Sequence, residues 1–236
     1  MGKYLLICSP VHLIILLILL KMEIDARYER KFRVEAREAT FREVLAVVRA
    51  QPALFRPAYP DRLVNSLYLD TPDLQAFRAN AAGLAERAKP RMRWYGPAAG
   101  PMGVRLEIKR RHGLVGTKEL LALPDGLPAL PLSGAAWRAY ASRHPWLRQF
   151  PELAPTALIT YQRSYLVSAD GRLRLTLDRG LRYAAGEAGR MGSVADDAVV
   201  LELKYPVADA PTVLPDFPFR PTRNSKYVVA LLNLRS

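Results

Sequence analysis

After residue 26 the chain is built mainly from stretches in which apolar and polar residues alternate, the period of a β-strand with one buried face. Residues 27–33, 88–96, 103–111, 157–168, 172–183 and 198–206 follow this period, and 63–71 and 117–123 read as strands between turn residues. The segment 103–123 reads as a hairpin turning near Gly113-Leu114, and Asp170-Gly171 marks a second tight turn. Helical spacing is rarer. Phe41, Val44, Leu45 and Val48 line one face of a helix within 38–50, with Thr40 as its N-cap. A short helix opens at Pro72-Asp73, a helical stretch covers 133–149 from Ser133 with a break at Pro145, and 225–235 closes the chain as a helix. Pro52, Pro57 and Pro60 mark a loop. Many long strands joined by hairpin turns predict an α+β protein whose sheet is antiparallel or closed into a barrel.

The polar faces of these strands are almost purely ionic. Arg27, Glu29, Lys31 and Arg33 share a face opposite Tyr28, Arg30 and Phe32. Lys89, Arg91 and Arg93 oppose Met92 and Trp94; Arg105, Glu107, Lys109 and Arg111 oppose Leu106 and Ile108. Arg172, Arg174, Thr176 and Asp178 oppose Leu173, Leu175 and Leu177, while Glu202 and Lys204 oppose Leu201, Leu203 and Tyr205. Arg163 sits between Tyr161 and Tyr165 on its face. A solvated sheet face is also charged, but usually mixes in Ser, Thr, Asn and Gln. The hairpin further sets Lys109 opposite Lys118, a like-charge pair that destabilises a sheet unless an anion lies between the two. A barrel with helices outside and these charges inside explains both features, and its lumen would suit a polyanion.

Composition points the same way. The chain has 236 residues, 50% of them hydrophobic, with Lys+Arg 35 against Asp+Glu 22 and a formal net charge of +13. Such an excess favours nucleic acid, anionic lipid or phosphate chains as partners. One cysteine, Cys8, excludes an internal disulfide and a Cys-rich metal site, and three histidines argue against a His-based zinc site. Residues 5–20, "LLICSPVHLIILLILL", form the one strongly apolar run. It falls short of the roughly 20 residues that span a bilayer. Pro10 and His12 interrupt it, and Lys21 follows where a small-residue cleavage site would stand. Three readings stand: a membrane anchor through residues 4–20, a true start at Met22, and a cleaved signal peptide. All three predict a folded domain over 26–236, with 1–25 as an apolar leader or a mis-assigned start.

The motifs "RYERKF", "KPRMRWYG", "LEIKRR", "TYQRSYL", "LRLTLDRGL", "LELKYP" and "RNSKYV" occur in that order. Together they resemble the VTC (vacuolar transporter chaperone) domain of polyphosphate polymerases, in the triphosphate tunnel metalloenzyme superfamily. The resemblance covers about residues 26–236. It implies an eight-stranded antiparallel barrel flanked by helices, whose tunnel binds a triphosphate chain. It also implies transfer of the terminal phosphoryl group of ATP to polyphosphate, assisted by Mn²⁺ or Mg²⁺. By motif matching, Lys31, Arg91, Arg93, Arg163, Arg174 and Lys226 would act on the reacting phosphates. Lys109, Lys118, Tyr161 and Ser225 would bind the chain. Glu202 would hold the metal, with Glu29 as a second candidate carboxylate. Triphosphatases and class IV adenylyl cyclases of the superfamily resemble Glu-x-Glu-x-Lys on the first strand. Here Arg27 replaces the first Glu, which suits holding a long polyanion more than building a multi-carboxylate metal centre.

The implied partners are ATP and polyphosphate, with no nucleic acid. The implied location is cytoplasmic, with the apolar run as a tether to the inner face of a membrane. Three other functions remain open at this stage: a triphosphatase on the same barrel, a non-catalytic polyphosphate or inositol-phosphate sensor, and a nucleic-acid-binding β domain. Glu202 argues against the sensor. The absence of an interleaved aromatic platform argues against the nucleic-acid reading.

Overall fold

The computed structural model describes residues 27–97, 103–113, 115–123, 125–187, 192–206 and 215–235. Among these the strands are β1 (Arg27–Val34), β2 (Arg56–Asp70), β3 (Glu86–Tyr95), β4 (Val104–His112), β5 (Val115–Leu123), β6 (Ala154–Val167), β7 (Arg174–Ala185), β8 (Ser193–Asp196) and β9 (Val199–Pro206). The helices are α1 (Phe41–Arg49), α2 (Gln75–Ala81), α3 (Gly134–Ala141), α4 (Pro145–Arg148) and α5 (Lys226–Asn233). The strands form one antiparallel sheet in the order β1-β9-β7-β6-β2-β3-β4-β5, with β8 paired to β7.

The sheet is not closed by hydrogen bonds, but it curls until its ends meet. Lys109 of β4 lies 3.5 Å from Glu29 of β1 although the two strands stand near opposite ends of the order. The free edge of β1 is covered by residues 221–222, with Thr222 N–H donating to the Lys31 carbonyl at 2.8 Å. Covering an edge removes a template for unwanted pairing.

Alternation decides which groups go outside. Phe32, Leu175, Leu177, Leu201 and Leu203 pack beneath Val44 and Val48 of α1. The N-cap of α1 is Thr40, in a reciprocal capping box with Glu43. Further along the sheet Leu67, Leu69, Met92, Trp94, Leu106 and Ile108 pack with Trp137 and Tyr140 of α3. The opposite, concave face receives the charged residues and α5, whose Tyr227, Ala230 and Leu231 pack with Val64, Tyr68, Ile159 and Tyr183.

Three features depart from the sequence reading. The strand expected at 63–71 begins at Arg56, so Pro57 and Pro60 lie in strand and not in a loop. Only β6 pairs there, with register shifts between Pro57 and Tyr59 and between Tyr59 and Arg62. β3 joins from Val64 onward, so both prolines lie in a part of β2 that has a strand on one side only, where proline is tolerated. The strand over 172–183 also carries a bulge opposite β6, at Gly180 with φ +58. A bulge of this kind needs a left-handed residue and resets the alternation. Asp178 and Thr176 before it, and Leu181 and Tyr183 after it, consequently face the same concavity. The third departure is a correction to the membrane tether. Among the described residues no helix is long and apolar enough to cross a membrane, and the helices there are 4–9 residues long against the roughly 20 that a span requires. The apolar run at 4–20, on which the cytoplasmic tethered placement rested, lies outside the described residues.

Candidate functional site

Cross-strand register assembles the ionic face. Lys31 pairs with Glu202 and Glu29 with Lys204. Thr176 pairs with Glu202, Arg174 with Lys204, and Arg163 with Asp178. Further along the strand order Tyr68 pairs with Arg91, Arg91 with Glu107, and Ser66 with Arg93. Lys89, Lys109 and Lys118 form a row over β3, β4 and β5.

Side chains then link these rows. Lys226 at the start of α5 reaches Asp178 at 2.6 Å and Glu202 at 3.4 Å, and lies 5.1 Å above the Tyr161 ring. Arg163 donates two hydrogen bonds to Asp178, at 2.5 and 2.7 Å, and its guanidinium carbon lies 5.2 Å from the centre of the Tyr161 ring. Lys31 contacts Glu29 at 3.4 Å, Glu202 at 3.7 Å and the Asn224 carbonyl at 3.3 Å. Arg93 donates to Ser66 and to the Tyr161 hydroxyl, and sits 3.5 Å from Glu107. Glu107 also takes Arg91 at 2.6 Å and Lys118 at 3.2 Å, and Arg91 donates to the Tyr68 hydroxyl. Lys89 donates to the hydroxyl of Ser225, the N-cap of α5, at 3.0 Å.

Lys31, Arg91, Arg93, Lys109, Lys118, Tyr161, Arg163, Glu29, Glu202, Ser225 and Lys226 therefore meet in one concavity. Arg174 shares the face by register but is exposed and makes no ion pair with a described residue. The side chain of Arg27 lies outside the described part. The opposition of Lys109 and Lys118 is real. Each lysine leans to a carboxylate of the protein itself, Glu29 for Lys109 and Glu107 for Lys118.

Electrostatics follows from burial and pairing. Burial works to raise the carboxyl of Glu107, but Arg91 and Arg93 hold it down at about 2. Burial likewise opposes ionisation of Glu202, and Lys226, Lys31 and Arg163 overcome it and hold it well below the usual carboxylate range. Asp178 is fully buried and also lowered, by Arg163 and Lys226. Lys226 is raised because Asp178 and Glu202 outweigh its desolvation. Lys89 behaves differently: burial, with Lys31 and Lys109 nearby, pushes it down to about 8. Tyr68 falls to about 8 because Arg91, Arg93 and Lys89 outweigh its burial.

Asp178, Glu107, Tyr68, Lys89 and Lys204 belong to this site although the sequence reading did not select them as site residues. The signal existed for four of them: Asp178 alternates with Arg174, Glu107 with Lys109, Lys89 with Arg91 and Lys204 with Glu202, on faces already recognised as ionic. Among the described residues no group of three or more His, Cys, Asp or Glu side chains could hold a metal by itself. The donor set still fits a hard divalent cation. Glu29 and Glu202 contact the same Lys31 ammonium, and such ions need few protein carboxylates where phosphate oxygens complete the shell.

The family model for the VTC domain matches residues 26–235. No curated protein matches the chain. Among solved structures, a protein from Pyrococcus horikoshii OT3 is 12% identical and covers 89% of this chain and 100% of its own, with a TM-score of 0.46. A candidate adenylate cyclase from Vibrio parahaemolyticus is 13% identical, covers 78% of both chains and scores 0.43. A candidate adenylyl cyclase from Hippeastrum with a dominant triphosphatase activity is 14% identical, covers 76% of this chain and 79% of its own, and scores 0.38.

Proposed function

Because the chain belongs to the VTC-domain family, we propose that it transfers the terminal phosphoryl group of ATP to the end of a polyphosphate chain inside the curled sheet. The observation that supports this most is the continuous run of cations along the concave face, from Lys31 through Lys226, Arg163 and Arg93 to Arg91, Lys109 and Lys118. Phosphoryl transfer asks a protein chiefly for positioning and charge stabilisation, without a covalent nucleophile. In the reaction a terminal oxygen of polyphosphate bonds to the γ-phosphorus, the bond to the bridging oxygen breaks, and ADP leaves with that electron pair.

The residues divide by geometry. Arg91, Arg93 and Arg163 present guanidinium forks suited to pairs of phosphate oxygens. Lys31 and Lys226 are point charges beside Glu202, poised where charge develops on the transferred group. Arg174 approaches from the exposed rim, and Lys109 and Lys118 hold the outer part of the chain. Tyr161 supports Arg163 and Lys226 from beneath, and Ser225 sits where the N–H groups that open α5 face the anion. Glu202, with Glu29, would hold Mn²⁺ or Mg²⁺, which when bound supplies neutralisation of the phosphate charge.

Incubating the protein with ATP and Mn²⁺ and separating the products by gel tests the reading. Chains that lengthen with time, with ADP released, support it. Release of orthophosphate without chain growth makes the same site a triphosphatase. Binding of polyphosphate with no turnover makes it a sensor.

A further inference from the structure

Arg62 of β2 stands apart from the ionic network. Its guanidinium carbon lies 5.7 Å from the ring centre of Tyr59, 5.5 Å from that of Tyr95 and 5.8 Å from that of Tyr165. Arg62 makes no ion pair with a described residue, whereas neighbouring Asp61 is taken by Arg179. Tyr59 and Tyr95 are 61% and 42% exposed, an unusual state for large rings, and Tyr59 stands edge-on to Tyr165 at 5.9 Å. The cluster is continuous with the phosphate grip. Arg62 is the direct cross-strand partner of Arg163. On β3 the side chains of Lys89, Arg91, Arg93 and Tyr95 follow one another on a single face, so a ladder of cations ends in an aromatic ring.

Two arginines directly opposite each other repel. Arg163 is neutralised by Asp178, whereas Arg62 is exposed and, among the described residues, has three aromatic rings and no carboxylate beside its charge. A planar cation among exposed aromatic faces, one residue beyond a phosphate site, has the chemistry of a stacking platform for a nucleobase. A phosphate chain alone would gain nothing from the rings.

We infer that Arg62, Tyr59, Tyr95 and Tyr165 form a platform that stacks the base of the nucleoside triphosphate at the mouth of the concavity. This rests on the proposed use of ATP and adds how a nucleotide is told from an inorganic chain. The rings offer π-faces in place of a directed pattern of hydrogen bonds, so the platform favours purines over pyrimidines and separates ATP from GTP poorly. It also orients the substrate. The base sits by Tyr95, the phosphates run along Arg93 and Arg91, and the acceptor chain lies beyond, toward Lys89, Lys109 and Lys118.

The test compares affinities of ATP and of inorganic tripolyphosphate for the whole chain by calorimetry. Arg62→Lys keeps the charge and removes the plane; Tyr59→Leu removes an exposed ring with little effect on the fold. Each should weaken ATP about tenfold, since stacking of one base contributes about 1–3 kcal/mol, while tripolyphosphate affinity stays within about twofold. A parallel loss for both ligands would place Arg62 in the phosphate grip and overturn the inference, as would no loss for either. If the unaltered protein binds tripolyphosphate as tightly as ATP, the platform is refuted and the tunnel reading survives. If it binds neither, the functional reading fails and the platform with it.

Discussion

The concave face has two halves that carry the same residue types in opposite states. Around α5 the charges are buried and matched: Asp178 lies between Arg163 and Lys226, and Glu202 between Lys226 and Lys31. Along β3, β4 and β5 the lysines outnumber their partners. Lys109 and Lys118 are half exposed, Lys89 has no carboxylate among the described residues, and Glu107 is shared by Arg91, Arg93 and Lys118. The matched half has already lost its hydration, so it is rigid and its charges depend on one another. The unmatched half keeps water and spare positive charge, which a polyanion can neutralise at little structural cost. One half fixes geometry, and the other supplies attraction.

Breaking the matched half should have the largest effect. Asp178→Asn leaves Arg163 and Lys226 buried without their counterion, and we expect a loss of about 3–5 kcal/mol of stability in a denaturant or thermal melt. Tripolyphosphate should restore part of this, because it supplies the missing anion. A melt unchanged from wild type would show that the half is not internally matched.

Glu202→Gln should be next. It keeps the shape, removes the charge, and should lower metal-dependent turnover by about a hundredfold or more while most polyanion affinity survives. Unchanged metal dependence, with tighter polyphosphate binding, would reduce Glu202 to a neutralising partner of Lys31 and Lys226.

In the half along β3, β4 and β5 the acid limb of stability reports on Glu107. Its carboxyl is held at about 2 against an ordinary 4.5. The stability it contributes is therefore complete above pH 4.5 and is lost as pH falls from 4.5 toward 2. Glu107→Gln should flatten acid unfolding over that window; an identical acid limb in wild type and variant would contradict the assignment.

The smallest effect is on binding at alkaline pH. Lys89 and Tyr68 both titrate near 8 in the free protein, and a bound polyanion raises both values, so binding takes up protons. Affinity for tripolyphosphate should fall as pH rises through 8, by at most about tenfold per pH unit for each proton taken up. Titrations in buffers of different ionisation enthalpy measure that uptake. No uptake near pH 8 would remove Lys89 and Tyr68 from the anion's surroundings.

Much of this division was legible in the alternation of residues. The ionic faces of β1, β3, β4 and β9 followed from period two alone, because each of those strands keeps its register without a bulge. The opposition of Lys109 and Lys118 followed from the place of one turn. What was not legible depends on pairing between distant strands. Asp178 becomes the counterion of Arg163 only through the β6–β7 register, and of Lys226 only through the docking of α5. The bulge at Gly180 turns Leu181 and Tyr183 inward against expectation. Pro57 and Pro60 read as loop because proline breaks a central strand, yet here they lie where β2 has a neighbour on one side only.

The central claim is that the concavity binds a phosphate chain through the spare charge of its unmatched half. The most direct measurement is a calorimetric titration of inorganic tripolyphosphate into wild type and into a Lys89→Ala, Lys109→Ala, Lys118→Ala triple variant, at two salt concentrations. We expect one molecule bound per wild-type chain. The variant should bind about a hundredfold more weakly or worse, with a shallower salt dependence and a melt within about 1 kcal/mol of wild type. Equal affinity in the two proteins, with the same salt dependence, would contradict the claim.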